Sequence, residues 1–268
     1  MRLPRLFWTV LLLSLQNAVA AAAPAAIELE SMTWTDVQAA IRAGDTAVII
    51  PAGGTEQNGP HMALGKHNVR VRALASKIAI RLGGTLVAPV VAYVPEGNVA
   101  PPAGHMRFAG TLSVSPEAFA AIIEGAARSL KQHGFKDILL LGDHGGYQPQ
   151  LKAIAAKLNR EWSGGAAKAY FVGEYYQSTQ VDYLNVLRTK GLSDFEIGTH
   201  AASADTSLML AIDPALVHLD RLESAARTGP AAGTVGDPRK ASVELGNMGV
   251  DLVVSRSVQS IKAWQAHR

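Results

Sequence analysis

The sequence predicts an α/β fold: a single domain with a central, mostly parallel sheet and helices on both faces. Short apolar runs alternate with segments of helical periodicity along almost the whole chain, as in strand–helix–strand units. The run at 47–50 is continuously apolar, and so is the strand at 137–141 after its first residue, Asp137, as expected for strands buried on both faces. The sequence shows no internal repeat and no interdomain linker.

Each element has a local signal. Ser115 followed by Pro116 is the clearest helix start, because serine caps a helix and proline suits its first position. Strands are predicted where short apolar runs end at proline or glycine. In chain order we expect a helix capped by Thr35 or Asp36 and ending near Gly44, a strand at 47–50 stopped by Pro51, a helix at 68–82, a strand at 86–92 containing Pro89, a helix from Pro116 to about 133, a strand at 137–141, a helix at 148–162, a strand at 169–172 and a helix at 204–212.

The composition is that of an ordinary globular protein. Of the 268 residues, 48% are hydrophobic and 18% are charged, which excludes disorder, collagen and coiled coil. The absence of cysteine excludes disulfides, thiolate zinc sites, iron–sulfur clusters and a cysteine nucleophile. The net charge is only +3, and Arg2 and Arg5 supply two of these charges. We therefore expect no nucleic-acid partner.

The first 20 residues resemble a secretory signal peptide. Arg2 and Arg5 precede an apolar run at 6–15, and an Ala-x-Ala cleavage pattern follows at 18–20. The run is too short to span a bilayer of about 30 Å, although an uncleaved anchor is an alternative. We expect a signal peptide at 1–20, a flexible lead-in at 21–30 and the functional domain at 31–268. An exported chain without cysteine indicates a periplasmic protein, with no membrane contact after cleavage.

Polar, glycine-rich segments carry the candidate chemistry, and two of them follow predicted strands. Open α/β sheets bind ligands at the carboxyl ends of their strands, so these segments should meet in one crevice. Histidines and carboxylates without cysteine are the ligands of catalytic zinc, non-haem iron and manganese. The candidate residues are Glu56, Asn58, His61 and His67 in the first segment, His105 in another loop, Asp143 and His144 after the strand at 137–141, and His200 and Asp205 in a later segment.

Other interpretations of these segments remain open or are excluded. Any one histidine alone could be a hydrogen-bonded structural residue. The segment at 142–146 has neither the G-x-G-x-x-G pattern of dinucleotide-binding loops nor the serine of a nucleophile elbow. Ser203 and Ser207 lie near His200, which leaves a serine hydrolase as an alternative.

The order and content of the segments resemble the creatininase (creatinine amidohydrolase) family. The family's opening motif, P-x-G-[SA]-x-E-Q-H-G-P-H-L-P, is similar to the segment at 51–61. Further similar segments are those at 104–111 (E-H-x-x-F-P-G-T), 133–146 (H-G-F, then N-G-H-G-G-N), 200–207 (H-A-G-x-x-E-T-S) and 236–242 (G-D-P-x-x-A-[ST]). The resemblance implies an α/β fold, metal-dependent hydrolysis of small and often cyclic amides, and often a homohexamer.

The resemblance also implies a ligand set that this chain keeps only in part. The family's two metals use the Glu and His of E-Q-H, an Asp eleven residues after that Glu, and the His of G-H. By motif these positions are Glu56, Asn58, His67 and His144 here. An amide oxygen is a poor ligand beside imidazoles, and a neutral imidazole cannot bridge two ions as a carboxylate does. We expect one divalent ion, zinc first and iron(II) or manganese as alternatives, bound by Glu56, His67 and His144.

The expected function is hydrolysis of a C–N bond in a small amide by a metal-activated water. His200 and Asp205, in the segment similar to H-A-G-x-x-E, would carry the proton to the leaving nitrogen. The loss of two ligand positions leaves two alternatives: a non-hydrolytic member that binds a ligand or a metal, and other metal chemistry such as lactonase, lyase or iron oxidation. A small-molecule substrate and a homo-oligomer are the expected partners. Substrate-binding or supporting roles are expected for Asn58, His61, His105 and Asp143.

Overall fold

A four-stranded sheet forms the middle layer of the computed structural model, which describes residues 26–268. Its strands are β1 (Ala47–Ala52), β2 (Thr85–Val87), β3 (Asp137–Gly142) and β4 (Lys168–Phe171). The order across the sheet is β2-β1-β3-β4, and every neighbouring pair is parallel. This confirms the predicted fold class. The predicted signal peptide at 1–20 lies outside the described residues.

Helices cover both faces of the sheet. Across residues 26–268 they are α1 (Trp34–Ala43), α2 (Lys66–Leu82), α3 (Pro116–Gln132), α4 (Gln148–Glu161), α5 (Gly173–Gln177), α6 (Tyr183–Thr189), α7 (Asp194–Ile197), α8 (Ser203–Ile212), α9 (Leu222–Thr228) and α10 (Val243–His267). A π-helical turn, Ser178–Asp182, connects α5 to α6. Within this part of the chain, every helix is too short or too polar to cross a membrane.

Two apolar cores hold the helices against the sheet, because successive strand residues point to opposite faces. On one face, Val48 and Ile50 of β1 pack in a cluster with residues of α3 and α4. On the other face, Ile49 of β1 packs in a cluster with residues of α2, α8 and α10. All three β1 side chains are buried, so a continuous apolar run is the pattern that such a strand requires.

Local signals set the helix ends. Ser115 Oγ accepts a hydrogen bond from the Ala118 N–H at 3.2 Å, and Pro116 takes the first position of α3, as predicted. Helix α1 is capped by Thr33, which forms a capping box with Asp36. The predicted caps, Thr35 and Asp36, were therefore placed two to three residues too late.

Three other predictions about elements were wrong. Pro51 lies inside β1 and does not end it. Proline has no N–H to donate, and it is tolerated here because Pro51 faces Val91, which lies beyond the end of β2, so no hydrogen bond between strands is lost. Strand β2 ends at Val87, before Pro89. Part of the predicted flexible lead-in is packed on the sheet, since the Val87 N–H donates to the carbonyl of Ile27 at 2.8 Å.

The register of β1 and β3 positions the functional residues. Ala52 lies opposite Gly142 at the carboxyl ends of the two strands. The chain therefore leaves both strands at the same edge, towards Glu56 in one loop and Asp143 and His144 in the other. The first residues of α2 lie against the same edge, because its Lys66 and His67 both contact Glu56.

Candidate metal and catalytic site

A cavity of about 410 Å³ opens at this edge of the sheet. Its volume is in the range of small-molecule sites. Most of the predicted site residues line it, as does Lys66, which was not predicted to have a role. The lining includes Lys66, His67, His105, His144, His200 and Asp205.

The buried carboxylate of Glu56 lies at the centre of the polar groups. Its Oε1 is 2.7 Å from His67 Nε2 and 3.9 Å from His200 Nδ1. Its Oε2 is 3.1 Å from His105 Nε2 and 3.5 Å from His144 Nε2. Four imidazoles from four separate segments therefore surround one carboxylate, as the predicted crevice requires.

Glu56 is ionised in this setting. Burial alone would raise its pKa, but His67 and Lys66 beside it hold the pKa well below the ordinary value. The loop that carries it depends on Gly54, which has a φ of 150°, and a Cβ there would collide with Glu96. Glycine at this position thus lets two buried carboxyl side chains lie close together.

Among residues 26–268, two groups of three residues have the geometry to hold a metal ion, and both include Glu56. In each group, the three ligand atoms lie within 4.8 Å of one another. The first group is the predicted set, Glu56 with His67 and His144. The second is Glu56 with His105 and His200, and the sequence did not predict it. One carboxylate and two imidazoles are a donor set that zinc accepts.

A second carboxyl group stands behind each imidazole of the first group. Asp143 Oδ2 is 2.6 Å from His67 Nδ1, and Glu96 Oε2 is 3.3 Å from His144 Nδ1. For His67 this matches metal-binding histidines, which usually have a carboxylate behind the ring that fixes the ring and its tautomer. The Nδ1 of His144 instead accepts from the Gly146 N–H at 3.2 Å. Glu56 Oε2 and both Glu96 oxygens are buried and have no hydrogen-bond partner within residues 26–268. The residues of the first group therefore fit a bound cation.

Glu96 is a functional candidate that sequence reasoning missed. It is buried in the loop between β2 and α3, 40 residues after Glu56. Burial and the neighbouring Glu56 raise its pKa to about 9. The segment around it is rich in proline and glycine, and no motif or periodicity marks it.

Six residues form a closed ring in which acidic and basic side chains alternate. We call it the charge ring. Its contacts are Glu56–Lys66 (3.8 Å), Lys66–Asp205 (3.2 Å), Asp205–Arg70 (2.8 Å), Arg70–Asp143 (2.9 Å), Asp143–His67 (2.6 Å) and His67–Glu56 (2.7 Å). Despite their burial, Asp143 and Asp205 keep pKa values below the ordinary value, because Arg70 faces both and Lys66 also faces Asp205. The carboxylates of the ring are therefore charged.

The two predicted catalytic residues have different environments. His200 Nε2 lies 3.0 Å from the backbone carbonyl of Gln57, which accepts, and 3.1 Å from the side-chain Nε2 of Gln57, which donates. Burial and nearby Lys66 lower the pKa of His200 to about 4. Asp205 is instead held in the charge ring and also accepts from the Ala201 N–H at 3.0 Å. This geometry favours His200 over Asp205 as the proton carrier.

Two of the predicted supporting residues lie outside the cavity wall. In the described part of the chain, Asn58 and His61 are fully buried and do not line the cavity. Asn58 Nδ2 donates to the carbonyl of Glu56 at 2.9 Å, and His61 Nε2 is 3.1 Å from Thr206 Oγ1. Both residues hold the loop that carries Glu56. His105 and Asp143, in contrast, do line the cavity.

Comparison with known proteins identifies relatives over most of the chain. The family model described as creatinine amidohydrolase matches residues 30–261. Creatinine amidohydrolase of Pseudomonas putida is 26% identical over 251 residues, which cover 86% of this chain and 94% of that protein. Mycofactocin precursor peptide peptidase of Mycobacterium ulcerans (strain Agy99) is 27% identical over 244 residues, covering 81% and 85%.

Solved structures agree with this result. A structure described as creatininase Mn superposes with a TM-score of 0.72 at 25% identity, covering 89% of this chain and 98% of that one. A mutant creatininase described as Zn-Zn type gives a TM-score of 0.71 at 25% identity, with the same coverage.

Proposed function

Because the chain belongs to the creatininase family, we propose that it is a metal-dependent amidohydrolase that cleaves a C–N bond in a small amide. The observation that carries this proposal is the convergence of four imidazoles on the buried, ionised Glu56 at the wall of a small cavity that all four imidazoles line. The carboxylate of Asp143 behind His67, and the buried Glu56 and Glu96 oxygens without a hydrogen-bond partner in the described chain, support a metal at this place.

We assign the ion to Glu56, His67 and His144, and we propose zinc. A bound zinc supplies Lewis-acid chemistry, which polarises a substrate carbonyl and makes a water acidic enough to attack near neutral pH. Manganese accepts the same donors, and structures of relatives described as Zn-Zn and Mn types support either metal.

His200 is the group that moves the proton. Its pKa of about 4 leaves the ring neutral at pH 7, so one ring nitrogen carries a lone pair that accepts the proton that the attacking water gives up. The water oxygen bonds to the carbonyl carbon, and the C–N bond then breaks with its electron pair going to nitrogen. His200 returns the proton to that nitrogen, so the products are an acid and an amine.

The substrate that fits best is a small amide. The cavity of about 410 Å³ suits a single small molecule. The relative named creatinine amidohydrolase favours a cyclic amide, whereas the one named mycofactocin precursor peptide peptidase favours the end of a short peptide. Both classes belong in the test.

The test is turnover by protein purified without chelator. We expect hydrolysis of at least one member of a panel of creatinine, hydantoin, simple lactams and short peptides, lost on chelation and restored by zinc or manganese. His200→Ala should lose turnover but keep its metal, and the exposed His133→Ala should keep both. A metal-loaded wild-type protein that hydrolyses nothing in the panel would favour the non-hydrolytic alternative.

We also propose that the chain is exported to the periplasm and assembles as a homo-oligomer. The sequence at 1–20 supports export, and family membership supports assembly. Mass spectrometry of the periplasmic fraction should find a chain that begins near Ala21. Light scattering of the purified protein should give a mass several times that of one chain. A cytoplasmic protein that keeps Met1, or a monomer, would contradict the respective proposal.

A further inference from the structure

Lys66 is a buried cation with unused hydrogen-bonding capacity. It is the first residue of α2, its exposed fraction is 1%, and it lines the cavity. Within the described chain, its only hydrogen bond goes to Asp205 Oδ2 at 3.2 Å, and Glu56 Oε1 is farther away at 3.8 Å. An ammonium group has three N–H donors, so two remain without a protein partner.

Arg70, the other permanent cation of the charge ring, donates to both of the aspartates beside it. Its Nε donates to both oxygens of Asp143, at 2.9 and 3.1 Å, and its Nη1 donates to Asp205 at 2.8 Å. Arg70 therefore satisfies the ring carboxylates on two sides. A buried charge that is only partly paired is costly in free energy. Because Lys66 lies in the wall of the cavity, a ligand bound there can pair with its unused N–H donors.

Lys66 is positioned to act on a substrate bound beside Glu56. The proposed metal group includes His67 and His144, whereas Lys66 links Glu56 to Asp205, which is held beside His200. A carbonyl bound in the cavity would therefore have positive charge available from the ammonium as well as from the ion. Donors fixed towards a developing negative charge lower the barrier of acyl transfer.

Building on the proposed amide hydrolysis, we propose that Lys66 donates a hydrogen bond to the carbonyl oxygen of the scissile amide. As the water oxygen bonds to the carbonyl carbon, the π electron pair moves to that oxygen, and the Lys66 N–H stabilises its negative charge. The pair returns as the C–N bond breaks, and the departing nitrogen takes the proton held by His200. The ammonium itself keeps all its protons.

The experiment compares Lys66→Met, Lys66→Gln and Lys66→Arg with Lys77→Met, which changes an exposed lysine of the same helix. Lys66→Gln keeps a hydrogen-bonding group for Asp205. It can therefore be measured even if Lys66→Met does not fold. We expect kcat to fall about 100-fold or more in both neutral variants, as when an oxyanion donor is lost, with KM changed less. Lys66→Arg should recover part of kcat, and zinc content should stay the same in every variant.

A second readout does not depend on turnover. Acetate, a small anion, should bind the wild-type protein in calorimetry, and the neutral variants should bind it about tenfold more weakly because a charge-assisted hydrogen bond is lost. Lys77→Met should bind acetate as the wild type does. Neutral variants with unchanged kcat and unchanged acetate binding would overturn the proposal, as would a wild type that binds no acetate. Absence of turnover in the wild type, with the acetate difference intact, would overturn the proposed hydrolysis instead.

Discussion

Glu96 is the residue whose effect is easiest to separate from direct metal binding. It lies 3.3 Å behind His144 Nδ1 and is absent from both candidate metal groups. With a pKa raised to about 9, Glu96 is protonated near pH 7, and it can gain a negative charge when a cation binds beside it. Glu96→Gln cannot ionise, so we expect it to weaken zinc binding about 10–100-fold, the typical cost of losing a carboxylate behind a ligating histidine, measured by competition with a chromophoric chelator. The exposed Glu30→Gln is the control, and equal affinities in the two variants would remove Glu96 from the site.

His61 predicts a pH dependence of stability. It is fully buried, and burial lowers its pKa from 6.5 to about 4. The unfolded chain therefore binds a proton between pH 6.5 and 4 that the folded chain does not, so the free energy of unfolding falls as the pH drops through this window. A shift of this size corresponds to roughly 3 kcal/mol.

The measurement is urea unfolding between pH 4 and 7 with chelator present. His61→Asn should lose part of the slope, whereas the exposed His133→Asn should retain all of it. Identical slopes in wild type and His61→Asn would show that His61 does not contribute.

Sequence patterns predicted site residues where a motif follows a strand. Glu56 and His144 follow β1 and β3, and the parallel sheet brings them together as expected. Lys66 and Glu96 could not be found in this way. Whether a lysine at a helix start faces solvent or a cavity depends on tertiary packing, and a lone glutamate in a loop carries no signal of burial.

At the scale of elements, prediction succeeded where local chemistry decides the structure. Continuous apolar runs gave β1 and β3, and a serine cap with proline gave α3. Helix α10, the longest described, was not predicted. Its sequence is interrupted by Gly246 and Gly249, which lower intrinsic helix propensity, so its stability depends on packing that the sequence alone does not reveal.

Gly246 provides a test of that packing. A Cβ at this position would collide with the carbonyl group of Ser207 in α8 and lie 2.8 Å from the Cβ of Ala211. We expect Gly246→Ala to lower the free energy of unfolding by about 1–3 kcal/mol, because overpacking outweighs the gain in helix propensity. Gly125→Ala in α3 is the matched control. There a Cβ meets no atom within 4 Å, so thermal unfolding should show up to about 1 kcal/mol of stabilisation. Similar effects at the two glycines would contradict close packing between α8 and α10.

At the scale of the whole molecule, the site has the charge for one divalent ion. The carboxylates of Glu56, Asp143 and Asp205 carry three negative charges, and Lys66 and Arg70 supply two positive ones. One divalent ion makes this set slightly positive. A second would leave a large excess of positive charge in a buried region, where repulsion is poorly screened.

The ion should also stabilise the entire fold, because its proposed ligands come from three separate segments: the loop after β1, the helix α2 and the loop after β3. A ligand that binds only the folded state adds about 2.7 kcal/mol at 100 times its dissociation constant. Since 1 kcal/mol shifts the Tm of a chain near this size by about 2–4 °C, zinc at that excess should raise Tm by roughly 5–10 °C. Elemental analysis should give one equivalent of zinc per chain in the wild type and in His133→Ala, and none in His144→Ala. The Tm of His144→Ala should not change when zinc is added. Two tightly held equivalents would refute the charge argument, and a Tm response in His144→Ala would place the ion in the other group, with His105 and His200.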